Sequence, residues 1–164
     1  MRKVGGNADM NDWIDNEKAS EDANAEERKI SAQFRLHKAK LIAAKAPGDW
    51  TACIERLRVI CDKLRRVYPT DLSKQCSLGN DGSVWTLQGC KPPWKILQMQ
   101  LNTIGQSVDL LEARQESRTR ISPVGRDQIA IKVNDDDEIE FHFRGLRHLT
   151  PDSLAEGLAK YVRG

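Results

Sequence analysis

The sequence predicts a helix-dominated α+β protein with an N-terminal antiparallel helical hairpin, a long third helix, a C-terminal β-hairpin and a terminal helix. Two observations support this fold class. Apolar residues recur every three or four positions in three segments between residues 24 and 117, which is the period of a helix. Apolar and polar residues alternate between residues 129 and 143, which is the period of a strand. With 39% hydrophobic and 30% charged residues, the 164-residue chain is predicted to form one domain with a modest core.

The two ends of the chain differ in charge. Residues 1–27 hold three basic and eight acidic residues, a net charge of −5, so the overall charge of +2 leaves +7 on residues 28–164. Residues 1–23 are polar and acidic with few apolar side chains, a composition typical of disordered segments. We therefore predict an acidic disordered leader over 1–23 and a single α+β domain over 24–164.

Two helices are predicted at the start of the domain. Helix one begins at Asn24, which with Glu27 has the pattern of a capping box, and ends near Ala46. Its apolar stripe consists of Ile30, Phe34, His37, Leu41 and Ala44. Pro47-Gly48 is expected to break the helix, and helix two follows over residues 50–68. Its broad apolar face consists of Trp50, Cys53, Ile54, Leu57, Ile60, Cys61, Leu64, Val67 and Tyr68. Because the connection is so short, the two helices are predicted to form an antiparallel hairpin.

A short β-hairpin and a third helix are predicted next. Residues 77–88 contain the turn sequence Asn80-Asp81-Gly82, which predicts the hairpin. After Pro92-Pro93 the apolar residues follow the 3-4 spacing of a coiled-coil seam, and the helix is expected to end near residues 114–117. The seam consists of Trp94, Leu97, Leu101, Ile104, Val108 and Leu111. It is predicted either to pack within a bundle or to mediate self-association with a second copy.

The C-terminal region is predicted to contain a β-hairpin and a last helix. The hairpin is indicated by two alternating segments, 129–133 and 139–143, around the polar turn 134–137. The helix is expected to begin at Thr150 as its cap and Pro151 in its first turn. Its apolar face consists of Leu154, Leu158 and Val162.

A basic surface on the first two helices is the main functional feature. Residues 28–66 hold eleven basic and three acidic residues, a local net charge of +8, which suits a polyanionic partner. The candidate binding residues are Arg28, Arg35, Lys38, Lys45, Arg56, Arg58, Lys63, Arg65, Arg66, Arg118 and Arg120. Two alternatives remain open. In one, the basic residues serve only to keep amphipathic helices soluble, and in the other the acidic leader folds back and covers them.

An acidic cluster, Asp135 to Glu140 with His142 nearby, is the group that most resembles a metal site. Consecutive turn residues diverge, whereas a magnesium site needs convergent carboxylates, so a solvated hairpin tip is the favoured interpretation. Glu140, His142 and Arg144 lie on one face of a strand. For them cross-strand charge pairing is favoured over acid–base catalysis.

Other sites of chemistry are weakly indicated. Cys76 and Cys90, with His142 or His148, lack the closely spaced pairs that are usual among zinc ligands. His37 in the helix-one stripe is expected to have a structural role. The common nucleotide-binding and hydrolase motifs are also missing from the sequence. No catalytic residue, metal or cofactor is therefore predicted.

The predicted function is that of a non-catalytic binding or regulatory protein, homo-oligomeric, which engages a macromolecular partner through its basic helical surface. A sequence-indifferent nucleic-acid-binding protein is the first alternative, and an uncommon metal-dependent enzyme is the second. The four cysteines show no paired spacing, and no apolar run approaches the roughly 20 residues that span a bilayer. A cytoplasmic location without membrane association is predicted.

Overall fold

A computed structural model describes residues 4–164, with side chains described from Asp12 onward. The chain divides into two compact units, residues 1–37 and residues 38–164. Helix α1 (Val4–Val67) begins in the first unit and ends in the second. Residues 4–37 of the first unit are helical, and residues 12–37 are exposed. Most of the predicted leader falls on this helix, and its first three residues lie outside the described residues.

The prediction of a helical hairpin at the N-terminus is wrong, because α1 continues through Pro47. A proline inside a helix costs about 3 kcal/mol, since it removes one hydrogen bond and crowds the preceding turn. A buried stripe crosses this position and outweighs that cost, because burying one large apolar side chain contributes about 1.5–3 kcal/mol. The stripe consists of Ile42, Ala46, Trp50, Cys53, Ile54, Leu57 and Cys61. The Thr51 hydroxyl donates a hydrogen bond to the Pro47 carbonyl oxygen at 2.9 Å.

Seven strands follow α1 and form one antiparallel sheet in sequence order, curled into a half-barrel. They are β1 (Cys76–Asp81), β2 (Val84–Gly89), β3 (Trp94–Asn102), β4 (Ser107–Ser117), β5 (Arg120–Val133), β6 (Ile139–Phe143) and β7 (Leu146–His148). A short 3-10 helix, Leu72–Lys74, precedes β1, and helix α2 (Pro151–Arg163) follows β7. The protein is therefore not helix-dominated, although both predicted hairpins are confirmed as the pairs β1–β2 and β5–β6.

The prediction of a third helix and a coiled-coil seam is also wrong, because its residues form β3 and β4. Leu97 and Val108 are buried on the inner face of the sheet, whereas Leu111 points outward and is exposed. Ile104 lies in the β3–β4 turn with 97% of its side chain exposed. The helical face that was to mediate self-association therefore does not form.

One core joins the inner face of the sheet to both helices in residues 38–164. It contains the buried stripe of α1, apolar side chains from the strands, and one face of α2. The predicted terminal helix is confirmed, with the Thr150 hydroxyl oxygen accepting a hydrogen bond from the Ser153 amide at 3.1 Å. The buried residues of α2 are Leu154, Ala155, Leu158, Ala159 and Val162.

Candidate anion-binding site

Two adjoining cavities lie beside the last turn of α2. The larger, of about 300 Å³, is lined by that turn, the segment before β1, the β2–β3 connection, and residues of β3 and β4. The smaller, of about 280 Å³, lies between α2 and the short 3-10 helix. Ser73, Arg163 and Gly164 line both cavities, so the two form one continuous depression.

Basic side chains surround this depression, and we call them the basic pole. They are Lys74, Lys91, Lys95, Arg114, Lys160 and Arg163. Among the residues whose side chains are described, no aspartate or glutamate lines either cavity. None of these six side chains takes part in an ion pair found among residues 12–164. The basic pole is therefore a concentration of positive charge without a close ion pair in the described part of the chain.

Close packing against the sheet fixes the position of the last turn of α2. A β-carbon at Gly89 would lie 2.4 Å from the carbonyl oxygen of Val162, so only glycine lets the helix approach β2 this closely. The Lys95 ammonium donates a hydrogen bond to the Tyr161 carbonyl oxygen at 3.2 Å. These contacts hold Arg163 at the edge of the larger cavity.

A polar network around Tyr161 supports the same turn. The Tyr161 hydroxyl donates a hydrogen bond to the buried carboxylate of Glu112. Burial, together with this carboxylate, raises the pKa of Tyr161 to about 12, so the phenol keeps its proton at neutral pH. The Lys95 ammonium and the Arg144 guanidinium lie 4.2 and 4.3 Å from the centroid of the ring. The Arg144 guanidinium also lies 3.5 Å from carboxylate oxygens of Glu112 and Asp127.

Three of the four cysteines are buried. The Sγ atoms of Cys61 and Cys76 lie 3.1 Å apart. The hydrogen bond from Cys61 lowers the pKa of Cys76, but Cys76 is 1% exposed and no substrate reaches it. Cys90 is partly exposed and lines the larger cavity, and burial raises its pKa above the ordinary value. None of these thiols has the accessible, activated character of a catalytic nucleophile.

The basic residues predicted from the sequence are not gathered by a hairpin. Nine lie along α1: Arg28, Arg35, Lys38, Lys45, Arg56, Arg58, Lys63, Arg65 and Arg66. Several have partners within residues 38–164. Arg56 lies 3.8 Å from Glu156, Arg65 lies 3.9 Å from Asp62, and the Lys45 ammonium donates to the Asp137 carbonyl oxygen at 2.9 Å. The two carboxylates offset part of the positive charge of α1, whereas the carbonyl oxygen is neutral.

The remaining predicted cations have similar surroundings. Arg58 lies 3.6 Å from Glu55, and its guanidinium carbon lies 5.6 Å from the centroid of the Trp85 ring. Arg118 lies in the β4–β5 turn, and Arg120 at the start of β5 lies 3.5 Å from Glu116. The basic pole shares no residue with this predicted surface.

The acidic cluster forms a hydrogen-bonded turn. The Asn134 side-chain oxygen accepts from the amides of Asp136 and Glu138 at 3.0 and 2.9 Å. Glu140 accepts two hydrogen bonds from Arg147 at 2.8 and 2.5 Å, and His142 lies 3.1 Å away. Arg147 and His142 hold the pKa of Glu140 at about 2. No group of three or more metal-ligating side chains is found among residues 12–164.

His148, considered with the cysteines as a zinc ligand, is buried between β7 and α2. Its Nδ1 lies 2.8 Å from the Ser153 hydroxyl, and its Nε2 is buried without a hydrogen-bond partner in the described residues. Burial lowers the pKa of His148 below its ordinary value of 6.5, so the ring is neutral at neutral pH. The ring therefore contributes to the contact between helix and sheet.

No protein-family model, curated protein or solved structure matches this chain. Within the described residues, no helix combines the length and the apolar character needed to cross a membrane.

Proposed function

We propose that the protein is a non-catalytic binding protein that engages an acidic segment of a partner protein through the basic pole. The observation that supports this proposal is the set of six basic side chains around two adjoining cavities, which no aspartate or glutamate side chain of the described residues lines. Such a surface attracts negatively charged partners and raises their rate of association. A non-catalytic binding protein was also predicted from the sequence, but the proposed contact surface is the basic pole instead of α1.

Helix ends explain only part of this charge. Lys160 and Arg163 lie in the last turn of α2, where cations interact favourably with the helix macrodipole. Lys91, Lys95 and Arg114 come from a connection and two strands, so this effect does not account for them. Their convergence on one cavity favours a binding role.

An acidic peptide fits the cavities better than a nucleic acid does. Proteins that bind single strands without sequence preference stack bases on aromatic side chains, and each stacked base contributes about 1–3 kcal/mol. Neither cavity is lined by an aromatic side chain. The cavities instead offer guanidinium and ammonium groups, which are the usual partners of carboxylates.

The test measures fluorescence anisotropy of a labelled polyglutamate peptide and of a labelled single-stranded oligonucleotide. Neutralising the basic pole with Lys91→Gln and Arg114→Gln should weaken peptide binding by about tenfold, since each exposed pair contributes up to about 1 kcal/mol. The control, Lys63→Gln with Arg66→Gln, removes the same charge from the surface predicted on α1 and should have a smaller effect.

Two results would contradict the proposal. An equal loss in both double variants would show that overall charge alone drives binding. Tighter binding of the oligonucleotide than of the peptide at the same salt concentration would favour the nucleic-acid alternative.

A further inference from the structure

Two basic residues that line the larger cavity of the basic pole come from neighbouring strands. Lys95 on β3 and Arg114 on β4 are directly opposed residues in the antiparallel pairing. Like charges directly opposite each other destabilise a sheet. Because no aspartate or glutamate side chain of the described residues lines the cavity, a bound anion would relieve this repulsion.

Arg163 adds an unsatisfied donor at the edge of the same cavity. Its Nε is inaccessible to solvent and has no hydrogen-bond partner in the described part of the chain. A buried donor left without a partner destabilises a protein, and hydrogen bonds from charged groups are the stronger ones. Arg163 lines the cavity, so an anion there would interact with the charge of its guanidinium group.

Other groups near the cavity do not supply that anion. Asp71 interacts electrostatically with Lys74 and Lys91 but does not line the cavity, and it accepts hydrogen bonds from the amide and hydroxyl of Ser73. Lys95 donates to the Tyr161 carbonyl oxygen, which is neutral. The excess of positive charge in the cavity therefore remains.

We infer that this cavity binds the phosphate group of a phosphomonoester. Two guanidinium groups, Arg114 and Arg163, offer planar pairs of donors that match phosphate oxygens. Together with Lys91 and Lys95 they oppose a group that carries about −1.5 to −2 charges at neutral pH. A cavity of about 300 Å³ accommodates the phosphate and the first atoms attached to it. Within the proposed function, on which this part of the inference rests, the ligand is a phosphorylated side chain of the partner protein.

The test is isothermal titration calorimetry of the full chain with phenyl phosphate at constant ionic strength. Saturable binding is expected, and Arg114→Gln and Arg163→Gln should each weaken it by about tenfold or more, as for the loss of one charge-assisted hydrogen bond. The matched control is Arg118→Gln, which removes the same charge four residues away in the exposed β4–β5 turn. Its affinity should stay within about twofold of that of the unchanged chain, because salt screens distant charges.

Alkylation of Cys90 supplies a second readout, because this thiol lines the cavity while Cys53, Cys61 and Cys76 are buried. Saturating phenyl phosphate should slow the reaction of Cys90 with iodoacetamide several-fold, and benzoate at the same concentration should not. The inference would be overturned by an absence of saturable binding or by benzoate binding as tightly as phenyl phosphate. It would also be overturned if Arg118→Gln lost as much affinity for phenyl phosphate as Arg114→Gln and Arg163→Gln.

The two proposals fail in different ways. Binding of phenyl phosphate without binding of polyglutamate would support the phosphate site and count against an acidic protein segment as the partner. Binding of polyglutamate without binding of phenyl phosphate would support the proposed function and overturn the phosphate site.

Discussion

At the scale of single residues, Gly157 shows how α2 approaches β7. A β-carbon at this position would lie 2.9 Å from Cε1 of His148, whose ring is held by Ser153. Alanine normally stabilises a helix relative to glycine by about 1 kcal/mol. At Gly157 the clash should make alanine destabilising relative to glycine.

We expect Gly157→Ala to lower the free energy of unfolding by about 1–3 kcal/mol, the usual cost of overpacking a core. Gly48→Ala is the matched control, since Gly48 lies in α1 and nothing stands within 4 Å of its added β-carbon. That change should raise the free energy by up to about 1 kcal/mol. Urea unfolding measures both variants, and stabilisation by Gly157→Ala would contradict the described contact.

His148 should make stability depend on pH near neutrality. Burial, and to a lesser extent the charge of His142, lower its pKa below the ordinary value of 6.5, so the unfolded chain binds more protons between the two pKa values. Its contribution to stability is complete above pH 6.5 and is lost as pH falls through the folded-state pKa.

In His148→Gln the free energy of unfolding should therefore fall less steeply between about pH 7 and pH 5 than in the unchanged chain. Unfolding curves at several pH values measure this slope. An identical slope in both proteins would show that the ring is not buried in its neutral form.

Glu140 should have its effect at much lower pH. Arg147 and His142 hold its pKa at about 2, so its carboxylate contributes to stability above its ordinary pKa of 4.5 and loses that contribution as pH falls toward 2. Glu140→Gln should lower the melting temperature at pH 7, and the difference should vanish near pH 2. Glu138→Gln, at an exposed neighbouring position, should change the melting temperature little. A loss that persists unchanged at pH 2 would contradict the ion pair.

At the scale of elements, the apolar residues over 94–111 fit both the 3-4 spacing of a helix and the alternation of a strand. The structure follows the alternation of a strand. Leu97, Met99 and Leu101 alternate with glutamines along β3, and their side chains lie on the inner face. The turn that follows is fixed by the Asn102 side-chain oxygen, which accepts from the Gly105 amide at 2.8 Å. The helical spacing arises only when residues on both sides of this turn are read as one segment. Short apolar runs often fit both periods.

Other elements were predictable because local signals agreed with the tertiary structure. The turn beginning at Asn134 and the cap at Thr150 both use side-chain oxygens that accept backbone amides, so β5–β6 and α2 were recognised. The basic pole was not predictable, because its residues are scattered along the chain between Lys74 and Arg163. Only the folded sheet brings them together. Charge density along the chain favoured α1 instead.

Pro47 distinguishes a continuous α1 from the predicted helical hairpin. In a continuous helix, Pro47→Ala restores a backbone hydrogen bond and removes a clash, at the cost of a more flexible unfolded chain. The free energy of unfolding should rise by about 1–2 kcal/mol, and helical circular dichroism should not fall. In a hairpin the proline would favour the turn, so destabilisation by this change would contradict the continuous helix.

At the scale of the whole molecule, the inner face of the sheet is filled by apolar side chains and is not available to a ligand. Buried residues of α1 and α2 join those of the strands in one core over residues 38–164. The proposed binding site lies instead at the edge of the half-barrel, where α2 ends. There the contacts of Gly89, Lys95 and Glu112 with α2 hold the cations of the basic pole in a fixed arrangement.

Backbone amide chemical shifts, recorded by NMR while phenyl phosphate is added, test the basic pole most directly. Saturating shifts are expected at Lys91, Lys95, Arg114 and Arg163, with little change at Lys63. The central claim would be contradicted if the shifts appeared instead along residues 56–66, or if they grew in proportion to ligand at every exposed cation without saturating.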